Sequence, residues 1–168
     1  MLDVIYYPNK ILRKKTKKVK DILSKEFQLF IKEMSETMLK KDGLGLAANQ
    51  VNSDLRICII NFHDGPKAII NPNIIWKNIF RKSTYEEGCL SFPFLFLSIK
   101  RPKWCSVRYT DENGEEVEET LHGMSARIFM HENEHMNGYV FTDLVSKLKL
   151  ERAEKSKQKM IKEIKRRQ

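Results

Sequence analysis

The run His131-Glu132-Asn133-Glu134-His135 constrains this chain more than any other stretch. In a helix, residues four apart stack on one face, so both imidazoles aim at one point while Glu132 sits a step round the cylinder. Two neutral imidazoles so placed supply two ligands to a divalent ion, and the neighbouring carboxylate can take a proton from a water that the ion activates. The ordinary alternative is a polar helix face whose histidines are satisfied by hydrogen bonds. With four histidines in 168 residues, an accidental match arises in roughly one such chain in a hundred. The rest of the fold is therefore expected to bring a third ligand to one face of this helix and to leave one coordination position open.

Downstream candidates for that ligand fit poorly. If the run is extended through Gly138, the position due for a third histidine is Phe141. Glu151 and Glu154 stand at suitable distances for a glutamate ligand, but within a lysine-rich stretch that reads as solvated. Upstream, Cys89 lies in Glu87-Gly88-Cys89-Leu90-Ser91, beside a glycine and outside any clear core periodicity. Such a thiol is a metal thiolate, a nucleophile or a buried residue. The histidine pair favours the first, because two histidines and one cysteine form an acceptable set for a catalytic ion.

Cys58 and Cys105 sit in apolar or alternating runs and read as packing residues. Three cysteines are too few and too odd a set for a disulfide framework and fit a reducing cytoplasm. No apolar run has the length of a membrane span, and the first eight residues lack a basic and then apolar leader. The expectation is a cytoplasmic protein with no membrane contact, folded as one domain over residues 1–168. Its net charge of +9 is concentrated in two places. Seven basic residues fall within 10–20, and ten Lys or Arg against three Glu give +7 over 147–167. Such runs mark either a solvated face or an anionic partner.

Phe27, Ile31, Met34 and Met38 recur at helical spacing over residues 24–41, with Ser24 as N-cap and Gly43 just past the end. Residues 55–61 and 68–71 read as strands joined by a hairpin turn at His63-Asp64-Gly65-Pro66, and 73–80 as a further strand entered after Pro72. Residues 104–110 and 115–121 alternate about Asn113-Gly114, a strong hairpin signal. Helices follow over 125–137 and 145–168, the latter with Leu148, Ala153, Met160, Ile161 and Ile164 as its apolar members. The predicted class is α+β, with antiparallel strands around a central metal-binding helix, an N-terminal helix and a basic C-terminal helix over 146–168.

Gly43-Leu44-Gly45-Leu46-Ala47-Ala48-Asn49-Gln50 is too poor in side chain for an ordinary strand and lets another backbone come close. This stretch, Glu87 to Ser91 and His131 to His135 resemble, in order and spacing, the three signature motifs of the bacterial-type peptide deformylases, and the likeness spans nearly the whole chain. The resemblance implies that Cys89, His131 and His135 hold a divalent ion and that Glu132 is the general acid and base. It further implies that Gln50 and the backbone N–H of Leu90 steady an oxyanion. Fe(II) is the ion the family favours; Zn, Ni or Co suit the same donors. The implied reaction removes the formyl group from N-formyl-methionyl nascent peptides and releases formate.

The substrate backbone is then expected to add as a strand beside Leu44-Gly45 and Gly88. Met124 and Ile128 fall on the helical face of the two histidines and would wall a methionine pocket that Leu44 closes, or are ordinary core residues. The basic C-terminal helix would meet the ribosome through its phosphates. Three residues depart from the family pattern: Met130 before the first histidine, Glu134 before the second, and Phe94 where glycine usually stands. They bear on the neighbours that orient metal ligands. Residues 92–97 form either an apolar lip to the site or a buried strand. Rival readings are a catalytically weak relative that acts by binding ribosomes or RNA, and a zinc endopeptidase.

Overall fold

The computed structural model describes residues 1–167, and Gln168, the last residue of the expected basic helix, lies outside the described residues. The periodic residues of the first helix produce α1, Lys25–Lys40, which buries Phe27, Ile31, Met34 and Met38. Ser24 occupies the N-cap position but its hydroxyl donates to the Asp21 carbonyl at 3.0 Å, so the first turn is not capped by it.

The five-stranded sheet against which α1 packs has the order β1-β2-β3-β6-β7, every neighbour antiparallel. Its strands are β1 (Gly45–Ala47), β2 (Ile57–Phe62), β3 (Gly65–Lys77), β6 (Trp104–Thr110) and β7 (Glu116–His122). Side chains alternate faces along a strand. Ile57 and Ile59 accordingly join the α1 cluster, whereas Cys58 and Ile60 pack with Ala126, Phe129 and Met130 of α2, Gly123–Met136. The sheet is thus covered by a helix on each side, which is why β2 reads as an unbroken apolar run. Each large side chain so buried contributes about 2 kcal/mol.

A separate two-stranded sheet pairs β4 (Lys82–Cys89) with β5 (Phe92–Pro102). From β5, Phe92, Leu95, Leu97 and Ile99 face inward and form a third cluster with Val140 and Phe141. Leu150 and Ala153 dock the start of α3, Lys147–Arg167, on that cluster. Beyond this contact the helix is mostly solvent-facing, and Leu148, one of its apolar members, is 58% exposed. No helix among the described residues is long and apolar enough to cross a membrane.

The strand boundaries differ from expectation in three places, and β4 was not among the expected strands. Residues 45–47 do form a strand, short and at the sheet edge. Pro72 does not divide β3, because it lies at a register shift between Ile70 and Asn73, where no ladder donor is required of it. The Asn71 side chain at this bulge ties down the N-terminal segment, accepting from Val19 N at 2.8 Å and donating to Val19 O at 2.9 Å. The β6–β7 connection is a five-residue loop, one residue longer than the expected 111–114: Asp111 Oδ1 accepts from the N–H groups of Asn113 and Glu115, both at 2.9 Å. Finally, residues 92–97 are both of the things expected of them. Phe92, Leu95 and Leu97 are core, and Phe94 and Phe96 are about half exposed on the other face.

Candidate active site

α2 presents His131 and His135 on one face, their ring centroids 5.1 Å apart. The helix lies close to β1 and β2, and Cys89 ends β4 just before the two-residue turn Leu90-Ser91. That turn brings the thiol to the histidines, with Cys89 Sγ 3.2 Å from His135 Nε2. The ligating atoms of Cys89, His131 and His135 all lie within 4.8 Å of one another. Bonds of about 2.0 to 2.3 Å to a tetrahedral ion put neighbouring donors roughly 3.3 to 3.8 Å apart. Small adjustments of the three side chains therefore accommodate one ion, and a thiolate with two imidazoles is a sound donor set for Fe(II), Zn, Co or Ni.

The neighbours of these donors were not legible in the sequence. Glu87 Oε2 meets His131 Nδ1 at 3.1 Å, which leaves Nε2 of that ring for an ion. Arg101 donates to Glu87 through Nε at 2.6 Å and Nη2 at 2.9 Å, and Arg127 Nη1 donates to the same carboxylate. Arg101 also holds both oxygens of Glu134, at 2.7 and 2.9 Å. Asn49 Nδ2 donates to the His135 carbonyl at 2.6 Å. These partners are remote in sequence, and no local spacing announces them. Of the residues that depart from the family pattern, Met130 is buried in the α2 core, Glu134 engages Arg101, and Phe94 sits at φ +63 on the cavity rim.

Glu132 is 4% exposed, and its Oε2 has no hydrogen-bond partner among the described residues. Burial pushes its pKa up to about 7, against the opposing pull of His131 and Arg101. Gly45 is pressed against this carboxylate: a Cβ there would lie 2.5 Å from Glu132 Oε1. Burial also works against ionisation of Glu87, but its bonds to His131 and Arg101 prevail and hold its pKa at about 2. Burial opposes charge on His131, yet its hydrogen bonds with Cys89 and Glu87 raise its pKa well above the ordinary histidine value. Burial and the nearby His131 push His135 well below it. Metal binding at these donors is coupled to proton release, because thiol and imidazole ligands bind in their deprotonated forms.

Gln50, 1% exposed, accepts from Ala47 N at 2.8 Å and directs its Nε2 to Cys89 Sγ at 3.5 Å and Ser91 Oγ at 3.3 Å. A cavity of about 620 Å³ opens over Cys89, His131 and Glu132. All five residues assigned to substrate from the sequence border it: Leu44, Gly45, Gly88, Met124 and Ile128. Met124 and Leu44, 51% and 54% exposed, stand at its mouth and are not core. Gln50 and Leu90 border it too. A metal-activated hydrolysis, with a carboxylate for proton transfer and an apolar pocket beside it, is within the reach of this arrangement.

Known proteins resemble the chain over nearly its full length. A peptide deformylase of Aquifex aeolicus is 39% identical over 166 residues, covering 95% of this chain and 96% of the relative. One from Pseudothermotoga lettingae is 46% identical over 136 residues, 80% of this chain and 77% of its own. Among solved structures, the peptide deformylase of Thermotoga maritima superposes with a TM-score of 0.84 at 40% identity, covering 87% of this chain and 98% of that one. That of Synechococcus elongatus, in complex with actinonin, gives a TM-score of 0.88 at 36% identity, covering 94% and 86%. The family pattern of polypeptide deformylase matches residues 1–151, and with the site geometry this establishes that the chain belongs to the polypeptide deformylase family.

Proposed function

We propose that the chain removes the formyl group from N-formyl-methionyl nascent peptides, with a divalent ion held by Cys89, His131 and His135. The observation that carries this reading is the convergence of those three donors under a cavity that also exposes a buried carboxylate. Family membership adds to it and does not favour the rival readings of a binding-only relative or a zinc endopeptidase.

When bound, the ion supplies Lewis acidity, lowering the pKa of water and polarising the formyl carbonyl. Glu132, with a pKa near neutrality, takes a proton from the attacking water and returns it to the departing amine nitrogen. The Gln50 amide and the Leu90 N–H donate to the oxygen on which charge develops, each contributing roughly 3 kcal/mol. The substrate backbone lies along the free edge of β1 and beside Gly88, adding to the sheet as a strand. Its methionine side chain fills the space between Met124 and Ile128, and Leu44 covers it.

The reading includes Fe(II) as the ion used in the cell, from the family resemblance, and cytoplasmic action. Residues 1–168 work as one catalytic domain, and the solvent-facing lysines of α3 contact the ribosome. Anaerobic purification, metal analysis and assay of formate release test it. One iron per chain and turnover of a formyl-Met peptide, but not of its acetyl analogue, are expected. Absence of bound metal, or equal turnover of the acetyl peptide, overturns the assignment. Glu132→Gln separates the roles: metal content stays at one per chain and turnover falls at least about 100-fold.

A further inference from the structure

The chain's two tryptophans, Trp76 and Trp104, stand together on the five-stranded sheet, on the face of β6 opposite its buried Cys105 and Val107. Their ring centroids are 4.7 Å apart, and His122, the cross-strand partner of Trp104, extends the row at 6.2 Å. Trp76 is 50% exposed, and Phe80 in the adjoining β3–β4 connection is 87% exposed. That connection is fastened in place. Asn78 Oδ1 accepts from the N–H groups of Phe80 and Arg81 at 3.0 and 2.9 Å, and Lys103 N donates to the Arg81 carbonyl at 2.9 Å. Phe80 is thus held outward by ordered backbone.

Beside the row lies a depression of about 540 Å³ bordered by Arg81, Tyr85, Lys103, Trp104 and His122. No carboxylate borders it among the described residues, and neither Arg81 nor Lys103 forms an ion pair among them. The other end of the same sheet is different, because there Arg108 is matched by Glu116 and Glu118 of β7. Exposed rings beside unmatched cations suit an occupant with flat π-faces and regular negative charge. A second copy of this chain would bring the same positive charge to the contact, and an apolar surface would leave the cations without partners.

We propose that this aromatic and basic surface docks a single-stranded stretch of RNA, with bases stacked on Trp76, Trp104 and Phe80 and phosphates on Arg81 and Lys103. A duplex keeps its base faces within the stack and does not offer them to the rings. The site is distinct from the basic helix α3 and adjoins the substrate cavity through Met124 and Arg127, which border both depressions. The choice of RNA rests on the nascent-peptide reading above, since RNA is the polyanion met during translation.

Both tryptophans lie in the patch, so intrinsic fluorescence reports on it directly. Titration of the full chain with a 12-nucleotide single-stranded RNA should quench that fluorescence saturably, with salt-dependent affinity. Trp76→Ala and Phe80→Ala should each weaken binding about tenfold, the latter measured by the quench of both tryptophans and the former by RNA anisotropy. Replacing Lys155, Lys157 and Lys159 of α3 by Gln should leave the quench amplitude unchanged. Formate release from a short formyl peptide by Trp76→Ala should match the wild type, so the test does not depend on the catalytic reading. An absent quench, equal quench by duplex RNA or heparin, or wild-type RNA affinity in Trp76→Ala overturns the proposal. So does a quench produced by self-association or by an acidic peptide in place of RNA.

Discussion

Gly45→Ala adds one methyl group at a point where the site has no space for it. The Cβ would lie 2.5 Å from Glu132 Oε1, 2.9 Å from Glu132 Cδ and 2.8 Å from Ile128 Cγ2. Ordinary contact begins near 3.4 Å, so the carboxyl group must retreat by about 1 Å or β1 must move away from α2 by a similar distance. Glu132 is buried, which leaves it little room to turn aside. Gly45 has no positive φ, so alanine meets no backbone penalty and the whole effect is steric. A misplacement of about 1 Å in a catalytic group costs on the order of 100-fold in rate, and overpacking costs about 1 to 3 kcal/mol of stability. The expected variant keeps one metal per chain, melts a few degrees lower and loses roughly 100-fold in kcat for a formyl-Met peptide. Metal content, thermal melting and formate release measure the three quantities separately. Wild-type kcat with full metal occupancy would refute the reasoning, because Glu132 could then be displaced without consequence and would not be the proton carrier.

Cys89→Ala removes a thiolate donor and should lose metal and turnover together; one tightly held ion in that variant, by metal analysis, would dismiss the ligand assignment. Met124→Lys places a charge at the mouth of the cavity and should raise KM for formyl-Met peptides without displacing metal, whereas unchanged steady-state kinetics would exclude Met124 from the pocket. Burial pushes the Cys105 thiol up to about 11 and the Cys58 thiol well above its ordinary value. A raised thiol pKa means that thiolate appears only as pH climbs toward that value, so at pH 8 a thiol reagent should label the metal-free folded protein once, at Cys89, and label all three cysteines after denaturation. Rapid labelling of two or three thiols in the folded protein would contradict the burial of Cys58 and Cys105.

The sequence was most readable where a residue type is tied to a geometry. Histidines four apart can converge only on a helix, and Phe27, Ile31, Met34 and Met38 can share a face only on another. Both helices appear where expected, within two residues at their starts and one at their ends. β4 was missed because Lys82 to Glu87 carries charge and hydroxyls without an apolar rhythm, and its strand geometry comes from pairing with β5. Likewise, β3 continues through Pro72 because a bulge removes the need for a donor there, and a bulge has no signature of its own in one sequence. Within the site, the donors were legible and their supports were not. Arg101 reaches Glu87 across 14 positions and Arg127 reaches it across 40, separations at which only the folded chain makes them neighbours.

Those supports explain how the departures from the family pattern can coexist with an intact donor set. Glu87 is ion-paired with two arginines and meets His131 at Nδ1, which fixes the ring and directs Nε2 away from it. Arg101 would be a buried cation shared by one carboxylate too few if Glu134 were apolar; instead Glu134 takes two donors of its guanidinium. Two arginines and two carboxylates therefore balance one another, and Glu134 reaches Arg101 from α2. Met130 lies on the opposite side, among Cys58, Cys105 and Phe129, where a thioether packs at no polar cost. Phe94 stands at the rim, where it changes the cavity wall and not the donors. Each substitution is absorbed by a different neighbour, so the three add up to a changed frame around an unchanged set of donors, and the proposed chemistry rests on the donors.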